Sequence, residues 1–406
     1  MIFKTQKSEQ GQSLVVVALL LIGLVAMLAL VLDGGNVYTQ RREAQLAADA
    51  GALAGAREYC VTKNTSLAIY AAQEYAVTRN AATSATASVE AGSGNVTVNA
   101  EITFDTFFLG ILGRSQLTVT ASATAGCTPP TIGAGVMPVA WACKPPGVLP
   151  EGVSSDSEDC AILYIDHWED PGDDICTVGE DPVYMIVDSD DVEEGLTCAD
   201  PGDTTPPKGT LDCDVDDDGV NDIQLVSGGE RSWLDLNGGG GGASDLSDWV
   251  ENGLDEPIYP HTWFAGQTGV AVSVYKTVHE YQLNEEVIIP VFDELCPLGV
   301  PNNTDKCPDL FHDHENPPGV DIVDKVVETG GSSTDYFHVI SFAIFRVTCV
   351  QAGGYPKGGE CPAHKAADLD KHVKTIEGCF IEDFDPKLGG GGGTVDIGAY
   401  TLYLIK

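Results

Sequence analysis

From Ser13 to Leu32 the chain reads SLVVVALLLIGLVAMLALVL, twenty residues without a charge. A helix of that length rises about 30 Å, enough to cross the hydrocarbon core of a bilayer. Lys4 and Lys7 precede the run. They favour keeping the short N-terminus in the cytoplasm and exporting everything after Asp33. A cleavable signal peptide has a shorter apolar core, about 7–15 residues, with a small-residue site close behind it. Here the nearest A-x-A pattern, Ala48 to Ala50, lies well downstream of Leu32. The run therefore reads as a retained anchor.

The rest of the 406-residue chain is acidic, with 61 Asp and Glu against 21 Lys and Arg and a net charge of -40. That charge repels phosphate, so a nucleic-acid or anionic-membrane partner is not expected, whereas divalent cations are favoured. All twelve cysteines, Cys60 to Cys379, lie beyond the anchor. An even number on the exported side reads as disulfides. The absence of any C-x-x-C counts against redox and zinc-ribbon motifs. Cys296 with Cys307 and Cys361 with Cys379 are candidate local staples.

Past the anchor, nine of the thirteen residues from Ala44 to Ala56 are Ala or Gly. Ala47, Gly51 and Gly55 recur every fourth position and form one smooth helical stripe, our candidate helix-packing interface. Gly51 and Gly55 make a small-xxx-small pair that lets two backbones approach closely. Glycine inside a helix costs up to about 1 kcal/mol relative to alanine, so two of them imply a packing reason. The partner is either another chain or this protein's own sheet or second helix.

The stretch GQSLVVVALLLIGLVAMLALVLDGGNVYTQRREAQLAADAGALAGA resembles the N-terminal segment of TadE/TadG-like proteins of tight-adherence (Flp-type) pilus assembly. Gly11, Asp33, Gln45, Ala48, Asp49, Ala50, Ala52, Leu53 and Ala54 carry the likeness, over roughly residues 8 to 58. It implies a membrane-anchored, pilus-associated protein with an exported domain. Gln12 to Val16 lack the acidic fifth residue that follows the cleavage glycine of Flp-type prepilins, and Glu9 lies before Gly11. The likeness thus points to a permanently anchored role rather than a pilin subunit. The segment RSWLDLNGGGGGASDLSDWVENGL resembles, less specifically, a central segment of larger TadG-like proteins.

Along the exported chain, SLAIYAAQEYAVTR (66–79) has helical spacing. VTVNAEITF (96–104) and LTVTASATA (117–125) alternate as strands with one wet face. FFLGILG between them is expected as a short helix or turn in the small module's own core; a docking or bilayer-facing patch is the alternative. Beyond a linker, residues 128–136, short strands alternate with Gly-, Pro- and Asp-rich loops. AILYID, PVYMIVD, VAVSVYKTV, EVIIPVFD, YFHVISFAIFRVTCV and AYTLYLIK are the expected strands. Tyr336–Val350, apolar on both faces, is expected to be central. SDLSDWVENG reads as a helix capped by Ser244 or Asp245 and stopped by Gly253. The five-glycine runs 238–242 and 389–393 read as surface loops.

The sharpest local motif is DVDDDGVND. Asp214, Asp216, Asp218, the Val220 carbonyl and Asp222 occupy the ligand positions of an abbreviated calcium loop, with Gly219 at the turn. Leu225 replaces the bidentate Glu of the full loop, so binding would be weak and its role structural. His312, Asp313, His314 and Glu315 are read as a polar loop; a metal site there is the alternative. His261 and Trp263 read as semi-buried. Neither G-x-S-x-G nor a nucleophile–base pair is present.

These readings converge on an α+β protein that is not an enzyme. Residues 1–12 are a cytoplasmic N-terminus and 13–32 a transmembrane helix. Residues 33–127 form a membrane-proximal module of helices plus a strand pair, pilin-like in kind. Residues 137–406 form an acidic, mainly β, disulfide-bonded exported domain. The expected role is assembling or anchoring an adhesive pilus, with other pilus-assembly or pilin proteins met through the N-terminal helix and the membrane met through residues 13–32. A calcium-binding surface adhesin or ligand-binding module is one alternative, and a metal-dependent surface hydrolase another.

Overall fold

The computed structural model describes residues 12–90, 93–142, 183–187, 197–199, 210–214, 222–226, 233–239, 242–254, 256–267, 270–296, 313–315, 321–323, 325–327, 336–356, 359–370, 372–381, 383–385, 387–390 and 399–405. They fall into two units, Met1–Cys127 with Leu402–Lys406, and Thr128–Thr401.

The first unit is built on one continuous helix, α1 (Gln12–Thr62). Its commonest residues are Leu and Ala, strong helix formers, and Gly34 and Gly35 do not interrupt it. Between Val15 and Leu32 no side chain is buried, and only Ala29 is half-buried. Beyond Asp33 one face turns inward, burying Ala44, Ala47, Ala48, Ala52 and Ala56 completely. They meet α2 (Thr65–Glu74), where Asn64 caps by accepting from the N–H groups of Ser66 and Leu67 at 2.9 and 3.3 Å. α2 continues as a π-helical turn, Tyr75–Arg79.

Three antiparallel strands complete the meander: β1 (Ser84–Val89), β2 (Val96–Asp105) and β3 (Gln116–Thr128). Val98 lies opposite Ala87 on one side and Ala123 on the other. The wet face carries hydroxyl pairs, Thr97 with Thr124 and Thr103 with Thr118, each 2.9 Å apart. The sheet exceeds the expected strand pair: β1 joins one edge, and Leu402 onward, the end of β20 (Ala399–Ile405), lies beside β3. Cys60 at the end of α1 is disulfide-bonded to Cys127 at the end of β3, with Cα atoms 6.4 Å apart.

The second unit begins at Thr128. Residues read as a linker are structured here: β4 (Ile132–Gly133) pairs with β19 (Leu388–Gly389), and Val136 is buried. The main sheet has nine strands among the described residues. Its centre is β16 (Tyr336–Gln351), buried on both faces as expected. β12 (Glu286–Cys296) pairs along one side of β16. Along the other side lie β11 (Thr262–Gly266) and then β17 (Thr375–Ile381). β5 (Trp141–Ala142) extends the sheet past β12, and β10 (Leu234–Asp235) and β15 (Lys325–Val327) extend it past β11. β6 (Val183–Val187) and β9 (Ile223–Val226) follow β17. Short pairs join β7 (Thr197–Cys198) to β8 (Thr210–Leu211), and β13 (Asp313–Glu315) to β14 (Asp321–Val323). β18 (Asp383–Phe384) runs parallel to the start of β20.

Two helices, α3 (Ala243–Asn252) and α4 (Val272–Tyr281), pack on each other, and α4 also packs on β16. α4 overturns the strand expected at VAVSVYKTV. Val274, Tyr275 and Val278 are its buried residues, a spacing that belongs to one helical face. The N-cap of α3 is Gly242, not Ser244 or Asp245; Asp245 sits in the first turn and accepts from the Gly242 N–H at 3.2 Å. Gly253 ends the helix at φ 77, as expected of a stop. Aromatic rings fill the core, with Phe380 edge-on to Trp141 and Phe345 at centroid distances of 4.4 and 5.2 Å. AILYID (161–166) lies outside the described residues.

Cys349 pairs with Cys361, so the expected staple of Cys361 with Cys379 is not formed, and Cys379 is disulfide-bonded elsewhere. Cys307 lies outside the described residues. The Cys349 bond brings the short helix α5 (Pro362–Ala366) over β17. There Glu377 accepts from the N–H groups of Ala363 and His364 at 3.1 and 2.6 Å. Burial drives its carboxyl from an ordinary 4.5 up to about 7, against the pull of those two donors.

Two outcomes follow from this packing. A Cβ at Gly51 would lie 2.7 Å from the Ala72 carbonyl and 3.0 Å from the Ala76 Cβ. Gly51→Leu should therefore destabilise the first unit by about 3 kcal/mol in chemical denaturation, and unchanged stability would sink the packing account. Between pH 4.5 and 7 the folded chain keeps the Glu377 proton that the unfolded chain has released. Stability should fall as pH rises through that window, by on the order of 3 kcal/mol in total. Burial lowers the pKa of His364, which contributes the opposite slope below its ordinary 6.5. The comparison is thus with Glu377→Gln: melting profiles of the two proteins should diverge across the window, and parallel profiles would contradict the assignment.

Candidate functional site

The apolar stretch of α1 meets the module through a carboxylate. Asp33 follows directly on the last apolar residue, and its side chain is 5% exposed. Its two oxygens accept from the backbone N–H groups of Phe107, Phe108 and Leu109 at 2.8, 3.0 and 2.8 Å. These residues open the 3-10 turn Leu109–Leu112, whose first N–H groups have no partner within the turn. Asp33 caps that turn from 74 residues away. Burial alone would raise its pKa, yet the three donors hold the carboxyl below its ordinary value.

The turn is not part of the module's core, contrary to expectation. Phe107 is 68% exposed and Phe108 and Leu109 are half-buried. In the sequence, Asp33 and this connector carry no visible link. Nothing in residue spacing links positions so far apart; an isolated acid at the end of an apolar run was the available signal.

The Ala47, Gly51 and Gly55 stripe is covered by the protein's own chain. A Cβ at Gly55 would meet the Ala72 Cβ and Val96 Cγ1 at 2.8 Å each, and the Ala68 carbonyl at 3.0 Å. The close approach is thus made to α2 and β2, which selects the intrachain alternative. Gln45 bridges from α1, donating to Asp49 Oδ1 at 2.7 Å and to the Ser122 carbonyl on β3 at 3.4 Å. The outer face of the same helix remains open, with Tyr38 and Leu46 more than 60% exposed.

Of the five expected calcium ligands, Asp214 and Asp222 are described; Asp216, Asp218 and Val220 lie outside the described residues. The neck of the loop is closed: the Asp222 and Ile223 N–H groups both donate to the Cys213 carbonyl, at 2.8 and 3.1 Å. Cys213 is disulfide-bonded to Cys198, and the Asp222 carbonyl accepts from Val183. Asp214 is buried and Asp222 half-buried at the two ends of this neck.

Residues 313–315 form β13 rather than a loop, with His314 opposite Ile322, while His312 is outside the described residues. His261 and Trp263 are buried more deeply than expected. Trp263 stacks at 4.8 Å on His338, whose Nδ1 lies 2.7 Å from Asp293 Oδ1. His338 lies within the run read as apolar on both faces and Asp293 on the neighbouring β12, and both side chains are buried.

A cavity of about 610 Å³ in the second unit is lined by Asp248, Trp249, Asn252, Glu256 and Tyr259 among others. Among the described residues its lining has no His, Cys, Ser or Lys. The described residues close enough to share one ion are Cys349, Cys361 and Glu377, and both sulfurs are consumed by a disulfide.

No curated protein and no solved structure matches the chain significantly. Residues 11–58, which hold the apolar helix, Asp33 and the Ala/Gly stripe, match the model of the TadE/G-like Flp pilus-assembly family.

Proposed function

We propose that this protein is a non-catalytic, membrane-anchored component of Flp-type pilus assembly. The observation that carries the reading is the division of labour within α1. One end is apolar and wholly exposed over a bilayer's thickness, the other is locked into a folded module, and the family match covers the junction. Residues 13–32 stay in the bilayer, the N-terminus is cytoplasmic, and the two units lie outside. With the small-residue stripe occupied internally, other pilus-assembly or pilin proteins meet the opposite face of α1, around Tyr38 and Leu46, and the span itself.

Calcium has a structural part in this reading. Five oxygens from residues 214–222 would stiffen the loop whose neck is closed at the Cys213 carbonyl. Carboxylates crowded in a chain of charge -40 repel one another, and a hard cation relieves that repulsion.

Photo-crosslinking in native membranes tests the assembly role. A crosslinker at Leu46 should yield adducts with other pilus-assembly proteins, while one at Ala47 should yield none between chains. Adducts from Ala47 alone, or from neither position nor the span, would refute it. For calcium, adding the ion to chelated protein should raise the melting temperature by several degrees. Asp216→Ala should abolish that rise, and an equal rise in the variant would remove the loop's role.

A further inference from the structure

The turn that Asp33 holds has apolar side chains on the outside of the module. Phe107 is 68% exposed, and Phe108 and Leu109 form one wall of an open groove whose other wall is α1. Val25, Ala26, Ala29 and Leu30 line that second wall, and among the described residues Asp33 is the one charged group in the groove. The groove holds about 710 Å³. Helical rise places Val25 about 12 Å from Asp33 on the side of the anchor. The turn therefore hangs from its cap toward the bilayer, continuous with the exposed apolar surface of the helix. On the other side of Asp33, Tyr38, Arg41 and Arg42 are exposed. That is the residue set of a lipid headgroup layer. Arg114, just past the turn, is exposed too.

We propose that the Phe107–Leu109 turn is a second membrane contact, inserted in the outer leaflet beside the anchor helix, with acyl chains filling the groove. Asp33 is its positioning residue. A carboxylate at the edge of the hydrocarbon is costly unless its lone pairs are satisfied, and the turn supplies three donors. In return the carboxylate holds two aromatic rings at a fixed height on the helix. Anchor and turn then grip the bilayer at two points, which limits tilting of the module about the helix axis. The inference rests on residues 13–32 being a bilayer anchor.

The test uses the full-length protein with Phe107→Trp, reconstituted in phosphatidylcholine vesicles with or without lipids brominated near the top of their acyl chains. Subtracting the parent protein removes the emission of the five native tryptophans. The added indole should emit blue-shifted and lose about half its intensity or more to bromolipid, as expected for a ring at the headgroup–acyl boundary. Adding Asp33→Asn should leave the protein on the vesicles and abolish that quenching. Vesicle flotation of the protein with a solvent-like, unquenched indole would overturn the turn's insertion while sparing the anchor. A shielded but unquenched indole would also overturn it, assigning the turn to a protein partner. Failure of the protein to float would defeat both readings, and quenching unaltered by Asp33→Asn would overturn the positioning role.

Discussion

The fold depends on one helix with two kinds of surface. Up to Leu32 every face of α1 is apolar and left uncovered by the rest of the protein. From Ala44 onward its inner face is reduced to Ala and Gly, which suits a neighbouring backbone. The change takes place without a break in the hydrogen-bonded ladder, so the apolar stretch and the module share one axis. Because Gly51 and Gly55 let α2 and β2 come so close, the core of the first unit is made almost entirely of Ala and Val. Such a core buries little area per residue, and the disulfide from Cys60 to Cys127 compensates by closing the ends of α1 and β3.

Much of this was legible, and the reasons are specific. The apolar run announces itself by length, and β2, β3, β12 and β16 by clean alternation or by continuous burial. β1 was missed because Ser84–Val89 has only Ala85, Ala87 and Val89 on its inner side, too small a signal to stand out. α4 was misread because Val270, Val272 and Val274 mimic a strand, and β-branched residues favour that reading. Packing against α3 and β16 decides otherwise. The cysteine near Cys361 in space, Cys349, was not the one chosen from sequence, because pairing follows the sheet and not the spacing.

The site was legible in pieces only. The Ala/Gly stripe was recognised, whereas its partner was not, since small residues do not say which backbone they admit. Asp33 was visible as an acid at the end of an apolar run, but its three donors come from a loop 74 residues on. Capping is ordinarily a local matter of two or three residues; here the same chemistry operates across a whole module, leaving no sequence period to detect. The buried His338–Asp293 pair was masked likewise by the apolar residues around it.

The chain enters the first unit twice: Met1–Cys127 form most of it, and Leu402 onward supply the strand beside β3. Some 270 residues of the second unit are therefore spliced between two parts of the smaller one. A ribosome delivers that edge only after the insert. Until residues 402–405 are made, β3 keeps an open margin of unpaired amides and carbonyls, so the sheet of the first unit is completed after its insert has been synthesised.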